Sequence, residues 1–233
     1  MISVFHRECK AFLHSWLFYG VLTVFFAALG LLVLIFHGTY EYSNVEYLMF
    51  RLMIVFSLLL PLLTSFSFRE ERKRGVARFV RALPLSDRDI VLGKYLSLFA
   101  MLCGMSLLLL LLPIFLGLWG TVHYASAYMA IFGFFLFGFA MLSINFLFAL
   151  CFRKHWVALS VSYGLTGVLI ALTYISVYLP TALSEIVARI SLFGVYAPWI
   201  YGITDLRAVG LYLSVGVLFL LLTVFASPRL WKE

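Results

Sequence analysis

The sequence is poor in charged residues. Only 12% of its 233 residues are Asp, Glu, Lys or Arg, whereas soluble globular domains usually have about 25%. Its three cysteines, Cys9, Cys103 and Cys151, show no paired spacing, and we interpret them as free thiols. Basic residues exceed acidic ones by seventeen to ten. In a membrane protein, cytoplasmic loops explain such an excess, so we predict no nucleic-acid partner.

Catalytic motifs are also missing. The chain has no H-E-x-x-H and no G-x-S-x-G sequence, and its five histidines are scattered, so no zinc or serine-hydrolase site is predicted. Gly93-Lys94-Tyr95 lacks the first Gly and the final Ser or Thr of a phosphate-binding loop, so we expect neither ATP hydrolysis nor a bound cofactor in this chain. Ionisable residues are rare inside the apolar runs, which disfavours a transporter coupled to protons or sodium.

Long apolar runs make up most of the chain. Hydrophobic residues account for 64% of it, and about 20 such residues cross the hydrocarbon core as a helix. We therefore predict an all-α integral membrane protein with one transmembrane domain, residues 1–233. Pro61 is expected to kink the second span. The six predicted spans cover about residues 17–36, 47–68, 95–116, 127–148, 157–179 and 208–225.

The distribution of Lys and Arg predicts the orientation. The N-terminal tail, the segment 69–94, the pair Arg153-Lys154 and the C-terminal tail hold fourteen of the seventeen basic residues. The positive-inside rule then places both termini in the cytoplasm, and we expect the protein in a bacterial inner membrane.

The N-terminal residues predict an amphipathic helix that lies in the membrane interface before the first span. A plain flank of that span is the alternative. The helix would carry apolar residues on one face and basic residues on the other. The apolar residues are Phe5, Cys9, Phe12, Leu13 and Trp16, and the basic ones are Arg7, Lys10 and His14.

Three further features lie within the spans or on the external side, and each has two interpretations. Arg51 near the outer end of the second span either snorkels to the interface, which we favour, or lines a pore. Asn145 and Ser143 either join helices or border a transport path. Residues 181–194 predict a short amphipathic helix that re-enters the outer leaflet or merely faces lipid.

The cytoplasmic segment 69–94 contains a second amphipathic pattern. An apolar stripe at helical spacing lies beside basic positions, and Pro84 ends the predicted helix. Such an exposed stripe requires lipid or a protein groove, which argues against a plain solvated loop. The apolar stripe is Val76, Phe79, Val80 and Leu83, and the basic positions beside it are Arg74, Arg78 and Arg81. After Pro84, the sequence Ser86-Asp87-Arg88-Asp89 resembles a capping box, which predicts that a helix restarts there and continues into the third span.

This order of motifs resembles the permease subunits of ABC-2-type exporters. The matching residues are Glu70-Glu71, Gly75, Leu83-Pro84-Leu85-Ser86 and Ile90-Val91-Leu92-Gly93-Lys94, and a second match is Pro198-Trp199 with Gly202-Ile203-Thr204-Asp205-Leu206-Arg207. The resemblance covers essentially the whole chain. Gly75-Val76-Ala77-Arg78 departs from the family's more common Gly-Thr-Leu-Glu.

The resemblance implies a permease that pairs with a second copy or a paralogue and docks a cytoplasmic ATPase subunit, which binds ATP and Mg²⁺. Residues 75–83 would be the coupling helix, and the amphipathic N-terminus would be the connecting helix. The ATPase-coupling residues would be Glu71, Gly75, Val76, Arg78, Phe79, Val80, Leu83 and Pro84. The transported substrate cannot be read from the sequence.

Two other functions fit the same class of membrane protein. One is a membrane anchor that relays ATPase work to an external machine, although the short external segments disfavour it. The other is a permease similar to the haem exporters of cytochrome c maturation, for which His37 and His123 give little support.

Overall fold

The computed structural model describes residues 2–39, 45–73, 87–118, 120–152, 154–175, 191–203 and 205–230. Within these ranges the chain is helical and contains no β-strand. Six of the described helices are long and apolar enough to cross a membrane. The prediction of an all-α membrane protein with six spans is therefore confirmed.

The described helices are numbered in chain order. The first span is α2, the second α3, the third α4 with α5, the fourth α6, the fifth α7 and the sixth α9. Their bounds are α1 Ile2–Leu13, α2 Trp16–Thr39, α3 Val45–Lys73, α4 Asp87–Leu109, α5 Leu112–Gly117, α6 Tyr124–Cys151, α7 His155–Ile175, α8 Ala197–Ile200 and α9 Leu206–Leu230, with a 3-10 turn at Gly194–Tyr196 before α8.

The helix of the third span is longer than the predicted span of about 95–116. It begins at Asp87, where Ser86-Asp87-Arg88-Asp89 predicts a helix restart, so that Lys94 lies inside it. It is interrupted after Leu109, and Pro113 stands in the first turn of the following helix. Proline has no N–H to donate to the preceding turn, which explains an interruption there. By contrast, α3 continues as a helix through Pro61.

Helix α6 forms the centre of the bundle. In its apolar window 72% of the residues are buried, against 17% in α2, and α6 packs against α3, α4, α7 and α9. Phe134 and Phe137 on this helix have no exposed surface. The surrounding helices leave large apolar side chains exposed, such as Leu34 and Phe225, as expected for helices whose outer sides face lipid.

Residues 191–203 pack across the end of the bundle at which α6 begins. The indole of Trp199 lies against Gly133, where a Cβ atom would come within 2.3 Å of the ring. The Tyr196 hydroxyl donates a hydrogen bond to Ala130 O at 2.9 Å, and the Tyr212 hydroxyl donates to Leu192 O at 2.7 Å. This segment is therefore fixed to both α6 and α9. Of the predicted external helix 181–194, residues 181–190 lie outside the described residues.

Candidate functional site

Lys94 is the most deeply buried cation among the described residues. Its side chain has no exposed surface, and its Nζ atom lies 3.3 Å from Glu8 Oε2. The ammonium group also donates a hydrogen bond to Ser67 O at 3.1 Å and lies 5.4 Å from the centroid of the Phe68 ring. Burying an ammonium group is costly unless it is paired and hydrogen-bonded. The carboxylate, the carbonyl and the aromatic face together offset that cost.

Glu8 comes from the buried face of α1. Val4, Glu8 and Phe12 recur at intervals of four residues and are all buried, which is the spacing of one helix face. Arg7 Nη2 also donates to Glu8 Oε1 at 2.7 Å. The carboxylate therefore lies between the buried ammonium group of Lys94 and the partly exposed guanidinium group of Arg7.

Gly93 allows α1 to approach α4 closely. A Cβ atom at this position would come within 2.9 Å of Val4 Cγ1. Any side chain at residue 93 would therefore push α1 away from α4 and lengthen the ion pair between Glu8 and Lys94. The consecutive residues Gly93 and Lys94 together form the surface on which α1 docks.

Three helices thus meet at one point, which we call the Lys94 joint: Glu8 of α1, Ser67 of α3, and Gly93 and Lys94 of α4. Helix α3 ends at Lys73 and helix α4 begins at Asp87. The joint lies close to the two helix ends that flank residues 74–86.

Only one of the predicted coupling residues lies in a described helix. Glu71 belongs to the last turn of α3. The side chain of Glu71 lies outside the described part of the structure, as do the predicted coupling residues Gly75, Val76, Arg78, Phe79, Val80, Leu83 and Pro84. Their role stays a prediction.

The predicted connecting residues divide between two helices. Phe12 is buried and Phe5 is half-buried, while Arg7 and Lys10 are exposed on α1. Trp16 is instead the first residue of α2, and 81% of it is exposed. The chain turns at residues 14–15, before Trp16, which separates this residue from the helix to which the sequence pattern had assigned it.

Sequence reasoning missed Glu8 and the role of Lys94. Lys94 was counted as a positive charge of the cytoplasmic segment and as the last residue of the motif Ile90–Lys94, and Glu8 was not considered. Two signals were available: a lysine within the mainly apolar run from Ile90 to Leu98, and an acid four residues from both Val4 and Phe12. Each signal indicates a buried charge, but the sequence does not show that the two charges meet.

The predicted polar residues of the fourth span lie inside the bundle. The Tyr95 hydroxyl lies 2.8 Å from Ser143 Oγ, which links α4 to α6. Asn145 is 1% exposed and donates a hydrogen bond from Nδ2 to Met141 O at 2.8 Å. Its Oδ1 atom is buried without a hydrogen-bond partner among the described residues. These contacts are those of helix packing, and a role of Asn145 or Ser143 in a transport path stays a prediction.

Arg51 lies near the opposite end of the bundle. Its guanidinium group donates hydrogen bonds to the hydroxyls of Tyr47 and Tyr174, and it lies 5.1 Å from the centroid of the Tyr47 ring. The side chain is partly exposed. Tyr47 of the same helix and Tyr174 of α7 thus hold the head of this arginine at the end of α3, which is the geometry that snorkelling requires.

The second sequence motif forms a turn into α9. Pro198 stands in the first turn of α8, and Gly202 has a φ of 73°, a conformation that glycine adopts without strain. Asp205 Oδ1 accepts a hydrogen bond from the backbone N–H of Arg207 at 2.9 Å. This bond caps the N-terminus of α9.

A comparison with protein families found one match that covers most of the chain. The model described as "ABC-2 family transporter protein" matches residues 18–227. The match includes the first span from residue 18 onward, the other five spans, both sequence motifs, and the residues that α3 and α4 contribute to the Lys94 joint. A search of curated proteins found no significant match.

Proposed function

We propose that this chain, which belongs to the ABC-2 family of transporters, is the membrane permease of an exporter driven by a separate cytoplasmic ATP-binding subunit. ATP and Mg²⁺ bind to that subunit, while the permease supplies the path across the membrane. A second copy of the chain, or a paralogue, completes the path. Both termini and the Lys94 joint then face the cytoplasm of a bacterial cell, as the distribution of basic residues favours.

The observation that supports this proposal best is the position of the Lys94 joint. A force applied to residues 74–86 reaches the membrane through the end of α3 and the beginning of α4, since these are the flanking helices. Lys94 binds α3 through Ser67 and α1 through Glu8. The three helices therefore move together, and a push on the loop tilts a rigid unit rather than bending one helix.

The apolar stripe supplies the docking contact in this proposal. Val76, Phe79, Val80 and Leu83 seat in a groove of the ATPase, and the neighbouring arginines pair with acidic residues at its rim. Closure of two ATPase subunits on ATP then draws the two permeases' loops together. The spans tilt and the path opens toward the outside.

The experiment that tests this proposal is co-purification of the permease with its ATPase. Phe79→Asp places a charge in the stripe, and we expect it to abolish ATPase binding because an unpaired carboxylate in an apolar groove is costly. Val80→Leu is the matched control, since it keeps the stripe apolar. Both variants must insert into the membrane at the wild-type level. Retention of the ATPase by Phe79→Asp would contradict the proposed docking site.

The direction of transport requires a second measurement. Proteoliposomes that expose the ATPase-binding side outward should accumulate substrate in their lumen when ATP is added outside. A panel of peptides, lipids and metal chelates can be screened first by their stimulation of ATPase activity. ATP-dependent loss of preloaded substrate from the same vesicles would instead indicate import.

A further inference from the structure

An apolar cleft lies between α1, α2 and α4. Its volume is about 320 Å³, which is within the size range of small-molecule sites. Helix α1 packs on α4, whereas α2 packs on α3, so the faces of α2 and α4 diverge beside α1. Leu13 of α1, Phe18 and Leu22 of α2, and Met101, Gly104 and Leu108 of α4 contribute to its lining.

The cleft is open sideways. Leu13 is 54% exposed and Leu108 is 49% exposed. A Cβ atom at Gly104 would meet no other atom within 4 Å. Both α2 and α4 belong to membrane spans, so the medium that reaches this opening is lipid. A chain of methylene groups therefore fits the lining, while a polar ligand does not.

One side of the rim of the cleft is basic. Cys9 and Leu13 are the residues of α1 that face the cleft. With about 100° between successive residues of an α-helix, the next positions on this side of α1 are His6 and Lys10. Both are exposed. Glu8 lies on another side of α1, away from the cleft, and pairs there with Lys94 and Arg7.

We propose that this cleft binds one acyl chain of an anionic phospholipid whose phosphate lies at His6 and Lys10. The apolar lining and the basic rim match the two parts of such a lipid, and an interfacial helix places them at the boundary between headgroups and chains. The bound chain fills the space between α2 and α4 and holds α1 against α4 near the Lys94 joint. This inference does not depend on the ATPase or on the direction of transport.

Retention of lipid by the purified full-length protein tests the proposal. The protein is mixed in detergent with equal amounts of phosphatidylglycerol and phosphatidylcholine, and native mass spectrometry counts the lipids that remain bound. We expect wild-type protein to retain one phosphatidylglycerol in preference to phosphatidylcholine. Gly104→Phe should remove this lipid because its ring occupies the cleft. Lys10→Gln should weaken phosphatidylglycerol binding about fivefold, the typical effect of one basic residue near an anionic headgroup.

Gly210→Phe is the matched control. Gly210 on α9 is exposed, and a Cβ atom there also meets nothing within 4 Å, so this variant adds the same ring elsewhere on the lipid-facing surface. Loss of the retained lipid in Gly104→Phe but not in Gly210→Phe supports the cleft. Equal retention by both variants, or equal binding of the two lipids by wild type, would overturn the proposal.

A second copy of the chain is the competing occupant of the cleft. In that case Gly104→Phe would convert dimers to monomers in the same spectra without changing the bound lipid, which would also overturn the proposal. If Gly104→Phe does not fold, Leu108→Trp fills the cleft from the same helix. Its lipid retention is judged by the same criteria.

Discussion

The pairing of Glu8 with Lys94 predicts a specific pattern of stability in a double-mutant cycle. The two charges are 3.3 Å apart, and at an effective dielectric constant of about 20 their attraction is about 5 kcal/mol before desolvation is subtracted. Removing one member of such a buried pair costs about 3–5 kcal/mol, whereas replacing both by apolar residues is often neutral. We therefore expect Lys94→Met and Glu8→Leu each to destabilise the protein, and the double variant to recover much of the loss.

The two single variants should not be equal. In Lys94→Met the Glu8 carboxylate keeps its hydrogen bonds with Arg7. In Glu8→Leu the fully buried ammonium group loses its carboxylate, so this variant should be the less stable one.

Thermal unfolding of the detergent-purified protein, followed by tryptophan fluorescence, measures these effects. A loss of about 3–5 kcal/mol corresponds to a decrease in Tm of about 6–20 °C for a chain of this size. Ala11→Gln, at an exposed position of the same helix, is the control, with an expected change within about 0.5 kcal/mol. Additive losses in the double variant would show that Glu8 and Lys94 act separately, and would refute the joint.

Three further predictions concern other parts of the structure. Trp199→Ala should lower the free energy of unfolding by about 3–5 kcal/mol because it empties a buried site against α6. Trp156 is exposed on α7, so Trp156→Ala should change Tm little, and equal decreases in Tm for the two variants would contradict this packing. Burial raises the pKa of the Cys9 thiol, and the nearby Glu8 carboxylate raises it further. In a variant without the other two cysteines, the rate of Cys9 alkylation should therefore be low at pH 7, increase with pH, and be higher in Glu8→Gln. A rate that does not change with pH would contradict this prediction. Asp205→Ala removes the N-terminal cap of α9 and should lower stability by about 1 kcal/mol in the same unfolding assay, whereas Asp205→Asn should lose less.

The sequence by itself determined the class of the fold. Runs of apolar residues long enough to cross a bilayer force the backbone into helices, because hydrocarbon offers no hydrogen-bond partners. Their number and approximate bounds therefore followed from the positions and lengths of the apolar runs. One local element was also readable, since Ser86-Asp87-Arg88-Asp89 predicted a helix restart and the described helix begins at Asp87. The break before Pro113 and the cap at Asp205 were not predicted, although both depend on near neighbours in the chain.

Only the tertiary structure decided which charges meet. Glu8 and Lys94 are 86 residues apart, and no periodicity within either helix indicates the other. The same holds for Gly93, whose lack of a side chain matters only because Val4 lies against it. It also holds for Trp199, whose ring fits against α6 only because residue 133 there is a glycine. Helical periodicity identifies a buried face but not the helix that covers it. Pairing across helices depends on how the spans pack, and packing is a property of the whole bundle.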